Sequence, residues 1–247
     1  MRLKDKIAIV TGASSGFGEG IARRFAVEGA RVIVSDIDAA AGQRVADDIA
    51  GAVFQKTDVA VNADVAVMVG AAIEAFGGLD ILVNNAGVAQ RNHPMLDVDE
   101  ATFDRIYAVN VKSIYLSALH AVPTLIKRRG SIVNIASTAA VSPRPGLTWY
   151  NGSKGAVVTL TKSMAVELAK DQVRVNAVNL VISETGLTLD FMGGVDNPEI
   201  RAKFVSTIPL GRMSTPLDIA NAALFLSSDE AGLITGVCLE VDGGRCI

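Results

Sequence analysis

Short apolar runs alternate along the chain with longer segments that have helical spacing. Most of the short runs are continuously apolar, which is typical of strands buried on both faces of a sheet. Strand–helix alternation at this spacing predicts βαβ units and a parallel sheet with helices on both faces. The predicted strands are 7–10, 31–35, 53–57, 81–84, 131–136, 173–179 and 237–241, and the predicted helices are 18–28, 40–50, 64–76, 100–127, 149–170 and 216–227.

The pattern contains no linker, repeat or change of composition that would divide the chain. We therefore expect one α/β domain over residues 1–247, a doubly wound sheet of seven parallel strands. Residues 181–206 show no clear element. A long loop in a compact domain is usually functional, so we expect this segment to be a lid over a site.

Composition excludes several classes of protein. The net charge is −3 and basic residues are scattered, so nucleic acid and anionic membrane are not expected partners. No run approaches the ~20 apolar residues of a membrane span. Two cysteines and two histidines are too few and too separated to suggest a disulfide framework or a metal site. A cytoplasmic enzyme acting on a small molecule is the simplest expectation.

A glycine-rich turn follows the first predicted strand directly and opens a helix. Glycines permit a tight turn and let the backbone approach a pyrophosphate, and the helix N-terminus offers it free N–H groups. The spacing is Gly-x-x-x-Gly-x-Gly, and a purely structural turn would look similar. The candidate phosphate-binding residues are Gly12, Ser14, Ser15, Gly16, Phe17 and Gly18.

Asp36 ends the second predicted strand, about 20 residues after this turn, where a carboxylate can bind the adenosine ribose hydroxyls. Its charge would repel a 2′-phosphate, and neither Ser15 nor the adjacent Ile37 is an arginine that could receive one. These residues favour NAD over NADP. The alternative is that Asp36 only caps the following helix.

Tyr150 and Lys154 are four residues apart in a predicted helix and therefore share one face. A nearby cation favours the phenolate form of a tyrosine, and a group that gives and takes one proton suits carbonyl/alcohol interconversion. Ser137, at the end of the fifth strand, could hold the substrate oxygen. Tyr-x-x-x-Lys alone is common by chance. It indicates an active site here because it follows the glycine-rich turn and Ser137 in the chain.

In this order, the motifs resemble those of the short-chain dehydrogenase/reductase family, in its single-domain branch of about 250 residues, over the whole chain. The resemblance implies a Rossmann-type fold, a catalytic set of Asn110, Ser137, Tyr150 and Lys154, and hydride transfer between NAD(H) and a carbonyl or secondary alcohol. Tyr150 would be the acid/base, and Lys154 would lower its pKa and bind the nicotinamide ribose. Asn110 would hold a water in a proton relay. The motifs are 11–18, Asp58-Val59, Asn84-Asn85-Ala86-Gly87, Asn110, Ser137, Tyr150 and Lys154.

The resemblance also assigns the remaining cofactor contacts. Asp58 and Val59 would bracket the adenine, the turn Asn85, Ala86 and Gly87 would line the groove, and Thr185, with Ser183 before it, would hold the carboxamide. Each has a simpler reading: Asn110 could be a kink in a long helix, Asn84 to Gly87 only a turn, and Asp58 a helix N-cap.

The sequence departs from the family pattern in two places, and we expect both to lie at the site. Leu180-Val181 stands where the family usually has Pro-Gly, and Gly152 where it commonly has Ala. We hypothesise that these residues reshape the pocket for a non-standard substrate. Reversion of the three positions should then change substrate preference.

The candidate substrate pocket is mainly apolar, which favours a neutral ketone, thioester or cyclic alcohol. Its residues are Gln90, His93, Thr138, Ala139, Leu147, Leu187, Phe191 and Met192. An acyl-carrier partner would need a basic patch at the entrance, for which Arg91 and 127–129 offer only a weak candidate.

The long predicted helices 100–127 and 149–170 have wide apolar faces, and the family resemblance implies a homotetramer. A frayed end is the simpler expectation for the tail 243–247. The alternative functions are a non-catalytic dinucleotide-binding protein, an NADP-preferring 3-oxoacyl thioester reductase, and a lyase or epimerase on the same fold.

Overall fold

The computed structural model describes residues 1–183, 188–194 and 197–247. Within these residues a seven-stranded parallel sheet has the order β3-β2-β1-β4-β5-β6-β7. This confirms the predicted single α/β fold of Rossmann type. The strands are β1 (Ile7–Thr11), β2 (Arg31–Asp36), β3 (Val53–Lys56), β4 (Ile81–Asn84), β5 (Ser131–Ile135), β6 (Arg174–Leu180) and β7 (Cys238–Val241).

Nine α-helices lie within the described residues, and each segment predicted as helical overlaps one or more of them. In this part of the chain no helix combines the length and the hydropathy that a membrane span requires. The helices are α1 (Gly16–Val27), α2 (Ala39–Asp47), α3 (Asn62–Phe76), α4 (Glu100–Tyr107), α5 (Ser113–Arg128), α6 (Thr148–Leu168), α7 (Thr188–Phe191), α8 (Pro198–Val205) and α9 (Pro216–Ser227).

The sheet separates two apolar cores, which explains why its central strands β1 and β4 are apolar at almost every position. Ala8, Val10 and Val34 face a core that includes Phe25 of α1 and Leu224 of α9. Alternate residues, among them Ile7, Ile9 and Ile33, face a second core shared with α3, α5 and α6. The central strands β1, β4 and β5 are therefore buried on both sides, as continuous apolar runs predict, whereas the edge strands β3 and β7 are partly exposed.

Successive strands are added to one side of β1 up to β3 and to its other side from β4 onward, so the strand order reverses between β1 and β4. β1 pairs with β2 on one side and with β4 on the other, so the two halves of the sheet diverge from it. The loops that follow β1 and β4 are then left apart at the carboxyl edge, and a crevice opens between them. This is where ligands bind in doubly wound sheets.

The structure differs from the predicted elements in two places that matter for the site. The helix predicted at 100–127 is divided into α4 and α5 by a π-helical turn, Ala108–Lys112, whose one buried residue is Asn110. The segment 181–206, predicted without elements, contains α7 and α8. α8 begins with Pro198 after Asn197, whose side chain accepts a hydrogen bond from the Ile200 N–H.

Candidate active site

A cavity of about 620 Å³ follows the carboxyl edge of the sheet. It extends from the glycine-rich turn, past the ends of β4 and β5, to Tyr150 at the start of α6. Most residues predicted to bind cofactor line it. They are Gly12, Ser14, Ser15, Gly16, Phe17, Asp36, Ile37, Asp58, Val59, Asn85, Ala86, Gly87, Tyr150, Lys154 and Ser183. Thr185 lies outside the described residues.

The glycine-rich turn has the geometry of a phosphate cradle. Gly12 and Gly16 both have positive φ, +64° and +56°, which glycine adopts without strain. A Cβ at Gly18 would lie 2.1 Å from the Gly12 carbonyl oxygen, so Gly18 permits close packing and does not itself line the cavity. Ser15, the N-cap residue of α1, makes no side-chain hydrogen bond to the helix. The first N–H groups of α1 are therefore left available to an anion.

The Asp36 carboxylate lies at the adjacent rim of the cavity and joins two turns. Its Oδ2 accepts a hydrogen bond from the Ser14 N–H at 3.0 Å, and its Oδ1 accepts one from the Asp38 N–H at 3.0 Å. The N-cap of α2 is Asp38, whose side chain accepts from Ala41. The capping alternative for Asp36 is therefore wrong, and its carboxylate still lines the cavity.

Asp58 has a similar local role on the other side of the groove. Its Oδ1 accepts a hydrogen bond from the Ala60 N–H at 2.9 Å, while the N-cap position of α3 is Val61. Asp58 is thus a turn residue and not the helix N-cap, and both it and Val59 line the cavity.

Thr11 and Asn85 connect the two loops that border the crevice. The Asn85 Nδ2 donates to the carbonyls of Thr11 and Gly12, at 2.8 and 3.0 Å. In return, the Thr11 Oγ1 accepts from the N–H groups of Asn85 and Ala86, at 3.0 and 3.1 Å. The turn after β4 therefore sets the position of the phosphate turn after β1. The sequence contained Thr11 within a motif, but only the fold brings it to this partner.

Tyr150, Lys154 and Ser137 meet at the other end of the cavity. Tyr150 and Lys154 are one turn apart on α6, and the Lys154 Nζ lies 5.9 Å from the centre of the Tyr150 ring. The Tyr150 hydroxyl shares a hydrogen bond with the Ser137 side chain. The Lys154 Nζ donates to the Ile135 carbonyl at 2.8 Å. All three side chains are buried.

Burial controls the protonation of this group. It raises the pKa of Tyr150 to about 12, against a smaller lowering by the Ser137 hydrogen bond. It also lowers the pKa of Lys154 to about 8. The net shift of Tyr150 therefore differs from the expected lowering, because desolvation disfavours both charged forms. At neutral pH the tyrosine is a protonated acid beside a lysine that titrates close to neutrality.

Asn110 projects from the π turn toward Val88 and Gly87, close to Lys154, but it is not among the residues that line the cavity. Its Oδ1 accepts from the Val88 N–H at 2.9 Å, and its Nδ2 donates to the Val88 carbonyl and to the Ser153 Oγ, at 2.9 and 3.0 Å. A Cβ at Gly87 would lie 3.4 Å from the Asn110 Oδ1 and 3.5 Å from the Lys154 Nζ. The predicted kink is therefore present as the π turn, and this turn brings Asn110 close to Lys154.

Gln90 and Ser153 position Tyr150, and the sequence pattern contained no sign of this. The Gln90 Oε1 accepts from the Tyr150 N–H at 3.3 Å, and its Nε2 donates to the Gly146 carbonyl at 3.2 Å. The Ser153 Oγ donates to the Tyr150 carbonyl at 2.7 Å and links it to Asn110. Gln90, predicted to line the substrate pocket, instead holds the start of α6 from beneath.

The predicted pocket is therefore only partly correct. Thr138, Ala139, Leu147 and Phe191 line the cavity, and the Phe191 ring lies 5.3 Å from that of Tyr150. His93 and Met192 do not line it: the His93 N–H donates to the Gly146 carbonyl, and Met192 is buried. Leu187 lies outside the described residues. Lining residues that sequence reasoning missed include Ser142, Arg144, Ile182, Phe204 and Arg245.

Of the three residues that make up the two departures from the family pattern, one lines the cavity. Leu180 lines it, whereas Val181 is buried and its N–H donates to the Val241 carbonyl. Gly152 faces α4, where an added Cβ would lie 3.0 Å from the Tyr107 hydroxyl. The glycine accommodates Tyr107, so the prediction that Gly152 reshapes the pocket is wrong in its location.

Two arginines change the expected character of the substrate end. Arg144, between β5 and α6, and Arg245, in the C-terminal segment, both line the cavity. The tail is anchored, because the Asp242 carboxylate accepts from the N–H groups of Gly244 and Cys246, at 2.9 and 2.8 Å. The simpler expectation of a frayed end is therefore wrong, and the wall has more charge than the sequence suggested.

The comparisons with known proteins agree with this geometry. A family model described as enoyl-(acyl carrier protein) reductase matches residues 12–245. A 4-formylbenzenesulfonate dehydrogenase of Comamonas testosteroni is 52% identical, with 100% of both chains covered. The chain belongs to the short-chain dehydrogenase/reductase family. Another member, 2-(S)-hydroxypropyl-CoM dehydrogenase 3 of Xanthobacter autotrophicus, is 38% identical over 98% of this chain and 97% of its own.

A solved member of this short-chain dehydrogenase/reductase family has almost the same fold. It is a 3-ketoacyl-(acyl-carrier-protein) reductase from Brucella melitensis complexed with NADH, 45% identical, with a TM-score of 0.94, covering 99% of this chain and 100% of its own. The present protein is an oxidoreductase of the short-chain alcohol dehydrogenase type, and its cofactor is a nicotinamide dinucleotide.

Proposed function

We propose that this protein is an NAD(H)-dependent dehydrogenase that interconverts a small carbonyl compound and its alcohol, with Tyr150 as the proton donor and acceptor. One observation carries the proposal. The buried group of Ser137, Tyr150 and Lys154 lines the same cavity as the glycine-rich turn and Asp36. Dinucleotide-binding and proton-transferring residues thus share one continuous space.

The residues fit the cofactor along its length. The open N-terminus of α1 and the positive-φ glycines suit a pyrophosphate, and Asp58 and Val59 line the groove where an adenine would lie. Lys154 and Ser183 line the opposite end. When bound, the nicotinamide supplies the hydride or accepts it.

The chain's own residues provide the proton. Tyr150 is protonated at neutral pH, so it can donate to a carbonyl oxygen held by the Ser137 hydroxyl. In the oxidising direction it must accept a proton, and the nearby Lys154 charge favours the resulting phenolate. Asn110 and Ser153 maintain the start of α6 and thereby the position of the phenol. We propose that Asn110 also holds a water that exchanges protons with Lys154.

The Asp36 carboxylate at the cavity rim supports NAD over NADP, because its charge would repel a 2′-phosphate. Turnover should be measured with NADH and NADPH against aldehydes, ketones, β-ketoacyl thioesters and sugars. We expect kcat/KM to be at least about tenfold higher with NADH, since a hydrogen bond to a charged group is worth roughly 1.5–3 kcal/mol. Asp36→Ala should reduce this preference, whereas the exposed Asp47→Ala should not. Equal use of both cofactors by the wild type would contradict the proposal.

A second candidate is a 3-oxoacyl thioester reductase, favoured by the description of the family model and by the similarity to the solved ketoacyl reductase. Of the basic residues considered for an acyl-carrier patch, those at 127–129 argue against it, whereas the Arg91 guanidinium lies beside Gly194. Arg128 donates to the Gly77 carbonyl and lies 3.6 Å from Asp80, at the amino edge of the sheet opposite the cavity. The ketoacyl thioesters in the panel separate the two functions.

We further propose a cytoplasmic homotetramer. Cys238 and Cys246 are both unpaired, which fits a reducing compartment. Tyr115 and Leu119 of α5 and Val166 of α6 are exposed apolar residues on the helices that were expected to meet a second subunit.

A further inference from the structure

The substrate end of the cavity contains two guanidinium groups from distant parts of the chain. Arg144 lies in the loop between Ser137 and Tyr150, and Arg245 lies in the tail that follows β7. Both line the cavity together with Ser142, whose Oγ lies 3.5 Å from the Arg245 Nη1. The two arginines therefore face the same space as the Tyr150 hydroxyl.

The loop that contains Arg144 is fastened at three successive carbonyl groups. The Arg144 carbonyl accepts from the Asn151 Nδ2 at 2.9 Å, and the Pro145 carbonyl accepts from the Asn92 Nδ2 at 3.1 Å. The Gly146 carbonyl accepts from the Gln90 Nε2 at 3.2 Å. Arg144 is thus presented by a supported backbone.

The tail that contains Arg245 is equally well supported. Besides the two hydrogen bonds to the Asp242 carboxylate, the Gly243 carbonyl accepts from the Leu210 N–H at 3.0 Å. Gly243 and Gly244 have φ of +65° and +88°, a conformation suited to glycine. The turn therefore directs Arg245 back to the cavity.

Neither guanidinium forms an ion pair with a carboxylate among the described residues. The nearby Asp242 carboxylate accepts backbone N–H groups instead. Burial, and then the charge of Arg144, lower the pKa of Arg245, which shows that the two cations are close enough to repel. The described carboxylates that line the cavity, Asp36 and Asp58, are at its nucleotide end. The substrate end therefore has no described lining carboxylate to pair with Arg144 or Arg245; a third lining arginine, Arg105, belongs to α4.

The cavity wall also includes five large apolar side chains. They come from the loop before α6, from the end of β6, and from α7 and α8. An aromatic or aliphatic body would fit against them, with its polar groups at the two ends. These side chains are Leu147, Leu180, Ile182, Phe191 and Phe204.

We propose that Arg144 and Arg245 bind an anionic group of the substrate, a sulfonate or carboxylate, while an apolar body places the reacting carbon at Tyr150. Planar guanidinium groups match such oxyanions with charge-assisted hydrogen bonds, and an anion would offset their mutual repulsion. The reaction at the other end rests on the proposed function. This substrate class replaces the neutral one that the sequence suggested.

The test compares two isosteric aldehydes, 4-formylbenzenesulfonate and the neutral 4-formylbenzenesulfonamide. For the wild type we expect kcat/KM to be higher for the anion. Arg144→Gln and Arg245→Gln should each lower it roughly tenfold to hundredfold for the anion, mainly through KM, and less than about threefold for the neutral aldehyde. Arg144→Lys and Arg245→Lys should retain part of the preference. Arg129→Gln, at the opposite edge of the sheet, is the matched control.

A binding measurement separates this proposal from the proposed function. In calorimetric titrations, benzenesulfonate should bind the wild type at least about tenfold more tightly than benzenesulfonamide, and this difference should disappear in both glutamine variants. Absence of turnover with every carbonyl would overturn the proposed function but not the subsite. Equal binding of the two probes by the wild type, or equal losses for both aldehydes in the variants, would overturn the subsite.

Discussion

The buried Lys154 shows how chemistry and stability oppose each other at single residues. Its ammonium group donates to one carbonyl and lies near a neutral tyrosine, and burial lowers its pKa to about 8. In the unfolded chain its pKa is about 10.5. Because the unfolded state binds the proton more tightly, the charged lysine costs folding free energy below pH ~8. The enzyme retains it for the charge that it places beside Tyr150.

Lys154→Met should therefore inactivate the enzyme and stabilise it. At pH 7 we expect the free energy of unfolding to rise by on the order of 1–3 kcal/mol, from the pKa difference. The gain should shrink as pH rises from 8 to 10.5, where the wild type loses the unfavourable charge on folding. Urea unfolding at several pH values measures this. Lys162→Met, exposed on the same helix, is the control, and a less stable Lys154→Met protein would refute the explanation.

Variants of Leu180 and Gly152 should have different effects, because Leu180 lines the cavity and Gly152 packs against Tyr107. Leu180→Ala enlarges the cavity, so we expect it to change the kcat/KM ratio between bulky and small aldehydes about tenfold and to cost about 2–5 kcal/mol of stability. Gly152→Ala exchanges a helix gain of about 0.5–1 kcal/mol for displacement of the Tyr107 hydroxyl. Its substrate profile should not change. A changed profile for Gly152→Ala with none for Leu180→Ala would reverse our assignment.

At the scale of elements, strands were predicted well because burial on both faces leaves a direct mark on the sequence. Ile7–Thr11 and Ile81–Asn84 are apolar at nearly every position, and their boundaries differ from prediction by at most one residue. The π turn could not be predicted in this way. It depends on Asn110 bonding to Val88 and Ser153, residues that are distant in sequence or on another helix.

The helices of the lid segment were missed for a different reason. α7 and α8 are short, and the amphipathic pattern that identifies longer helices is absent over so few residues. Pro198 after Asn197 was the available signal, since both are typical of a helix start. Phe191 of α7 contacts the Tyr150 ring, and the role of this segment as a lid stays a prediction.

At the scale of the whole molecule, the site depends on chain order in the sheet. The proposed catalytic side chains and the glycine-rich turn could be named from the sequence because they occur in motifs. Arg144 and Arg245 could not, because they are distant in the chain and belong to no motif. Only the placement of β7 beside β6 carries the tail to the cavity. The reaction class was therefore predictable from the sequence, while the proposed substrate class was not.

The same arrangement would let one cavity bind a dinucleotide and the proposed anionic substrate. Asp36 and Asp58 line its nucleotide end and Arg144 and Arg245 its substrate end, while the buried Tyr150 and Lys154 line the same space. The central claim is that proton transfer by Tyr150 in this shared space makes the protein a dehydrogenase.

Tyr150→Phe tests that claim most directly, because it removes the hydroxyl and retains the ring that packs on Phe191. With saturating NADH and an accepted aldehyde, we predict that kcat falls about 10²- to 10⁴-fold, the usual contribution of a general acid. NADH binding, measured by fluorescence titration, should stay within about threefold of the wild type, since the hydroxyl is one contact among many along the cofactor. Turnover close to that of the wild type in Tyr150→Phe would contradict the account.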